Sequence, residues 1–252
     1  MIFRSSQVEE AKRCVARAYY KYHLGLRASG GKEDIHLFFG KAVHSAIQIT
    51  YESSLEDGID YLQSLLWPVS RVKSKQVAIS LLRQLYYKFD YKVIACEKEF
   101  SFPIDDDNWY GRYDMIAKKD GETVVVDFKT SNPYYLLTKP NDQFAAYYIG
   151  INQDEDVKKF IICNLDPNEL NITFIPIRYT EKDVSSWLEE FKLWKDYYKS
   201  CINSGIIPRT NSCFDYGRKC EYHDICVSSE DIRPKVIKNC FIEDEKQKRM
   251  EW

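Results

Sequence analysis

The sequence predicts an α/β fold: a central mixed sheet flanked by helices, with a helical, cysteine-rich cap. Three observations predict it. Apolar residues recur at helical spacing through most of the first 90 positions, and from Lys92 to about Tyr179 the pattern switches to short β-branched and aromatic runs with one helical interruption. Beyond them lies a long amphipathic stretch followed by three closely spaced cysteines. The expected organisation is a single domain over 1–252, with a mainly helical part at 1–90, a sheet core at 91–180, a helix and cysteine cluster at 181–227 and a charged tail at 228–252.

The first element is a helix over about 5–25 that carries Cys14 and the aromatic cluster Tyr19, Tyr20 and Tyr22. After the turn-like ASGGKED, a second helix carries FFGKAVHSAIQITYES, and helix continues to about Asp90. VIACEKEFSFPI reads as a strand and DDDN as a turn. GRYDMIAKK and ETVVVDFK then read as two strands joined through Asp120-Gly121, a dipeptide suited to the positive φ of a two-residue hairpin turn. NDQFAAYYIGIN reads as a helix, KKFIICNL and NITFIPIRY as strands, and EKDVSSWLEEFKLWKDYYKSCINSG as a long helix. Trp187, Phe191, Trp194 and Tyr198 fall three or four apart on that helix and make a core-facing stripe. The final 25 residues are expected to be extended or loosely packed.

Composition narrows the class. With 252 residues, 44% hydrophobic and 15% aromatic, the chain can bury a sizeable core. Its formal charge of −2 provides no global basic signature, so a nucleic-acid partner would have to be held by a local patch or by bound metal ions. MIFRSSQVEEAKRC lacks the pattern of a signal peptide and no apolar run nears the roughly 20 residues that span a bilayer. A soluble cytoplasmic protein with no membrane partner is expected, in a bacterial or phage-infected cell. Disulfides are then disfavoured for its eight cysteines.

The chemistry is written on the hairpin. If Asp120 and Gly121 are the turn, paired positions place Asp114 directly opposite Asp127, and two carboxylates so placed repel unless a cation lies between them. Alternation puts Val125, Asp127 and Lys129 on one face, so the lysine reaches the same space. A hard divalent ion such as Mg²⁺ takes one or two carboxylates plus phosphate oxygens, which suits phosphodiester hydrolysis. The competing reading keeps Asp127 and Lys129 as a strand-end salt bridge, with a bulge shifting Asp114 out of register.

With these residues in order, the chain resembles the PD-(D/E)xK nuclease superfamily, and within it the branch of the RecB and AddB nuclease domains and the CRISPR-associated exonucleases. The motifs are GKAVH ending at His44, GRYD with Asp114, DFK with Asp127 and Lys129, and QFAAY from Gln143 to Tyr147. The resemblance implies a restriction-endonuclease-like core. It also implies that His44, Asp114, Asp127 and the Phe128 carbonyl hold Mg²⁺ or Mn²⁺, that Lys129 is the catalytic lysine, and that Gln143 and Tyr147 touch the lysine or the DNA. Glu97 and Glu99, two apart on the preceding strand, both resemble acids at the edge of such sites, and the choice between them stays open.

Cys213, Cys220 and Cys226 form a C-x6-C-x5-C run that fits neither zinc-ribbon knuckles nor the tight ferredoxin spacing. The same branch holds a 4Fe-4S cluster with one cysteine before the nuclease core and three after it, which here implies Cys14 with Cys213, Cys220 and Cys226. Cys201 is the substitute for Cys213, and zinc is the rival, with His223 as a ligand in the same loop. Cys96 and Cys163 read as small buried hydrophobes; His23 and His36 read as structural.

The function expected is a metal-dependent DNA exonuclease acting on ends or single strands in recombination, repair or phage- or CRISPR-type DNA processing. Tyr19 to Tyr22 and Lys139 are candidates for lining a strand-binding groove. The alternatives are a DNA-binding module that does not cut, and a subunit active only within a larger helicase or integration complex. No GxxxxGK[ST] loop is present, so a helicase partner would be a separate chain. The oligomeric state is left open.

Overall fold

The computed structural model describes residues 1–29, 34–131, 141–153, 157, 159–217 and 219–244. The chain begins with β1 (Ile2–Phe3), α1 (Ser5–Arg13), α2 (Val15–Ala18), a π-helical turn (Tyr19–His23) and β2 (Leu26–Ala28). Helices α3 (Ile35–Glu52), α4 (Leu55–Ser64) and α5 (Lys75–Lys88) follow. Strands β3 (Lys92–Ile104), β4 (Asp107–Lys119) and β5 (Glu122–Lys129) lead into α6 (Asp142–Ile151), β6 (Lys159–Asp166) and β7 (Asn171–Arg178). Last come α7 (Glu181–Ser204), a 3-10 turn (Ser212–Gly217), α8 (His223–Val227), α9 (Arg233–Cys240) and β8 (Phe241–Glu243). No helix among the described residues is long and apolar enough to cross a membrane.

The chain divides into two compact units, one of residues 33–101 and 111–185, the other of residues 1–32, 102–110 and 186–252. In the first, α3, α4 and α5 each start at a side-chain cap, with Asp34, Ser54 and Ser74 accepting from backbone N–H groups of the first turn. The sheet is mixed, as expected: β4 and β5 antiparallel, β5 and β6 parallel, β6 and β7 antiparallel, with β3 also against β4. Alternation along β5 sorts its residues between two layers. Val124, Val126 and Phe128 join Met115, Ala117 and the apolar faces of α3 to α5 in one core. On the opposite face, Phe144 and Tyr147 of α6 pack edge-on or tilted against Phe160 and Tyr113.

The second unit is organised around aromatic residues. Trp109 lies 5.2 Å from both Trp187 and Phe191, and Phe3 lies 5.3 Å from Phe191, so the expected stripe of α7 does face a core. β1 pairs in parallel with the start of β4, Ile2 with Asn108 and Phe3 with Trp109. Two expectations are corrected here. The helix over 5–25 is broken at Cys14, whose φ of −159° and ψ of 111° are extended, leaving α1 and α2 as separate pieces. The tail is not loose throughout, because α9 forms and β8 pairs antiparallel with β2 through Leu26–Glu243, Arg27–Ile242 and Ala28–Phe241. Residues 245–252 of that tail lie outside the described residues.

Candidate active site

The hairpin turns where the sequence places it. Asp120 and Gly121 have φ of 52° and 84°, and five pairs from Lys119–Glu122 to Met115–Val126 follow the register that puts Asp114 next to pair with Asp127. At that next position the ladder gives way to a side-chain contact: Asp114 Oδ2 accepts from the Phe128 N–H at 2.8 Å. His44 of α3 brings Nδ1 to 3.5 Å from the same oxygen, its ring edge-on to Phe128. Phe128 itself is buried.

Asp127 is fully buried, and its two oxygens are differently occupied. Oδ1 accepts from Gln143 Nε2 at 2.6 Å and from the Tyr147 hydroxyl at 3.3 Å, while Lys129 Nζ lies 2.7 Å from Oδ2. Lys129 also donates to Gln143 Oε1 at 3.3 Å. Gln143 reaches both because Asn141 caps α6 by accepting from the Gln143 and Phe144 N–H groups, which starts the helix there and sets Tyr147 one turn on. Burial pushes the Asp127 carboxyl above its ordinary range and Asp114 adds to this, while Lys129 and His44 oppose it. Burial and the two acids likewise hold the Tyr147 hydroxyl in its neutral, donating form.

The ligand atoms of His44, Glu97 and Asp114 all lie within 4.8 Å of one another. This trio differs from the expected set: Glu97 enters it, and Asp127 stands beside it in the hydrogen-bonded group with Lys129, Gln143 and Tyr147. The choice between Glu97 and Glu99 follows from a break in β3. Glu97 has φ of 51°, and the less exposed positions of β3 move from Val93, Ala95 and Glu97 to Phe100, Phe102 and Ile104 across it. A residue of positive φ inside a strand interrupts the alternation of faces. The two glutamates therefore do not share a face as simple alternation predicts, and Glu99 is left exposed.

A cleft of about 360 Å³ opens beside His44 and Glu97, lined also by His36, Gly40, Lys41 and Arg112. His36 and Arg112 were not identified as site residues from the sequence. Both carried a signal: His36 and Gly40 precede His44 by eight and four on one helical face, and Arg112 is two before Asp114 on a strand. Arg112 Nε lies 2.6 Å from Glu97 Oε2, and its backbone carbonyl accepts from Tyr147 at 3.1 Å. Of the groove candidates, Tyr20 is buried in the core with Tyr222 and cannot stack on a strand, and Lys139 lies outside the described residues.

The four cysteines expected to act together all lie in the second unit, where Cys14, Cys220 and Cys226 share one core cluster, but among the described residues no three of their sulfurs come within 4.8 Å of one another. Cys14 and Cys226 are buried, Cys213 and Cys220 partly so. Burial pushes the Cys226 thiol up, Cys14, Cys220 and Cys213 push it further, and Arg209 opposes them. Cys220 is raised by burial with smaller contributions from Cys213 and Cys14. The break at Cys14 is tied to the distant loop, since Ala16 N–H donates to the Pro208 carbonyl at 3.1 Å and Thr210 Oγ1 donates to the Arg13 carbonyl at 2.8 Å. The Cys220 N–H donates to the Cys213 carbonyl at 2.7 Å. His223 instead contacts Asp224 and Phe214.

Among known proteins, the family model described as the PD-(D/E)XK nuclease superfamily matches residues 5–227. A solved structure from Eubacterium rectale, to which an exonuclease activity is ascribed, is 14% identical with a TM-score of 0.58, covering 90% of this chain and 93% of that one. The alkaline exonuclease LHK-Exo from Laribacter hongkongensis is 12% identical with a TM-score of 0.30, covering 67% of this chain and 98% of that one. The first likeness speaks for the fold, and the second is too distant to add to it. No curated protein matches the sequence.

Proposed function

The chain belongs to the PD-(D/E)XK nuclease superfamily, and from that premise we propose that it is a metal-dependent deoxyribonuclease, an exonuclease acting on DNA ends or single strands. One observation carries the reading. The trio of His44, Glu97 and Asp114 stands next to a fully buried aspartate, Asp127, that itself bears a lysine. Two carboxylates beside a buried third are costly without a cation, so the donor set fits a hard divalent ion.

His44, Asp114, Asp127 and the Phe128 carbonyl, with Glu97 added, would hold Mg²⁺ or Mn²⁺, which when bound supplies a Lewis acid for the phosphodiester and lowers the pKa of an attacking water. Lys129, steadied by Asp127 and Gln143, would orient that water or offset the charge developing on phosphorus. Gln143 and Tyr147 fix the carboxylate that in turn fixes the lysine. Cys14, Cys213, Cys220 and Cys226 would hold a 4Fe-4S cluster, with Zn²⁺ as the alternative. The reading takes residues 1–252 as one nuclease domain, supported by a chain that passes between its two units four times, at 32–33, 101–102, 110–111 and 185–186. Recombination, repair or phage- or CRISPR-type DNA processing is the setting proposed, with any helicase on a separate chain.

The test is degradation of end-labelled linear and closed circular DNA, single- and double-stranded, with Mg²⁺ or Mn²⁺ and with EDTA. Wild type and Asp127→Ala would be compared on anaerobically purified protein. Metal-dependent loss of linear substrate that vanishes in the variant is expected. No cutting of any substrate by the folded, metal-loaded wild type would overturn the stand-alone enzyme.

A further inference from the structure

Arg112 sits in the cleft with its backbone held and its side chain accessible. Its carbonyl accepts from the buried Tyr147 hydroxyl at 3.1 Å, whereas its side chain is 57% exposed and pairs through Nε with Glu97 Oε2 at 2.6 Å. Glu97, only 14% exposed, is at the same time one of the three groups whose ligand atoms converge within 4.8 Å. Its carboxylate therefore has two competing partners, the guanidinium of Arg112 and a divalent cation. Lys41 and His36 line the same cleft, so the walls around the acidic floor carry groups suited to a polyanionic strand. A planar guanidinium has five N–H donors and binds phosphate oxygens in a forked geometry, so release from Glu97 gives it an equally good partner once a strand is present.

Resting on the nuclease reading, we propose that Arg112 is a transferable counter-charge, paired with Glu97 in the metal-free site and passed to a phosphate oxygen of the bound strand when Glu97 turns to the divalent cation. Arg112 is then a positioning residue that couples metal loading to substrate grip. In the free protein it competes with the cation for Glu97 and weakens metal binding. When a phosphate draws it away, the competition ends, so strand and metal each tighten the other's binding.

The experiment pairs Mn²⁺ calorimetry on the free protein with fluorescence anisotropy of a short labelled single strand in EDTA, for wild type, Arg112→Gln and Glu97→Gln. Arg112→Gln is expected to bind Mn²⁺ several-fold more tightly than wild type and the strand several-fold more weakly. Glu97→Gln, which frees the guanidinium, is expected to bind the strand several-fold more tightly in EDTA. Mn²⁺ affinity that is unchanged or weaker in a folded Arg112→Gln protein, or strand binding that fails to rise in Glu97→Gln, overturns the proposal. The nuclease reading fails differently, as a wild type that cuts no DNA, and the Mn²⁺ comparison reads the Arg112 competition whether or not cutting is seen.

Discussion

Asp127 concentrates the energetics of the site in one residue. It is fully buried, lies close to Asp114, and is compensated within the protein chiefly by Lys129 and two neutral donors. Asn at this position keeps the shape and the oxygen that accepts from Gln143 but removes a charge that burial disfavours. Asp127→Asn is therefore expected to melt within a few degrees of wild type without metal. Excess Mn²⁺ should raise the melting temperature of wild type, by an amount equivalent to about 2.7 kcal/mol at a hundredfold excess over Kd, and leave the variant nearly unmoved. Nuclease turnover should fall by about 10²- to 10³-fold or more. A large loss of metal-free stability in the variant would mean that the Lys129 pair is structural. At this scale the sequence was informative about Asp114, Asp127 and Lys129, because each follows from a turn or an alternation, whereas Gln143 and Tyr147 came only with the family motif. Glu97 was ambiguous because a single positive φ in β3 defeats alternation, and no residue type there announces it.

At the scale of elements, the glycine of the GRYD motif has a steric reason. A Cβ on Gly111 would overlap ring carbons of Phe100, and one on Gly150 of α6 would overlap the Tyr113 hydroxyl and the same ring. Phe100 stacks on Tyr113 with centroids 4.3 Å apart, so β3, β4 and α6 close on one ring through two glycines. Gly111→Ala is expected to destabilise the protein by about 1–3 kcal/mol in urea unfolding, the usual cost of overpacking. Cleavage per folded molecule should change little, and a selective loss of turnover in a stable variant would instead place Gly111 in the chemistry. Long helices and the hairpin were legible because capping residues, periodicity and Asp-Gly are local signals. The break at Cys14 and the pairing of β8 with β2 were not, since the first depends on a hydrogen bond to Pro208 and the second on a partner about 215 residues away.

Across the whole molecule, one core cluster ties chain segments that are remote in sequence. Cys14 lies in one core cluster with Tyr20, Tyr222, Cys226 and Phe241. On the proposed cluster, Cys14→Ser removes a ligand, so anaerobically purified variant should carry markedly less iron or zinc by elemental analysis. It should also lose several kcal/mol of stability, as structural metal sites do. Full metal content and unchanged stability would mean that Cys14 is only a buried apolar residue.

By itself the sequence determined the α/β class and the hairpin register that sets Asp114 beside Asp127, because these rest on short-range periodicity and turn chemistry. Only the tertiary structure decided that Glu97, and not Glu99, comes within reach of His44 and Asp114, that Asp127 is fully buried against Lys129, and that Arg112 pairs with Glu97. Those outcomes depend on how a strand turned at Glu97, a capped helix and a hairpin meet in space, and distances between remote residues are not encoded in any local pattern.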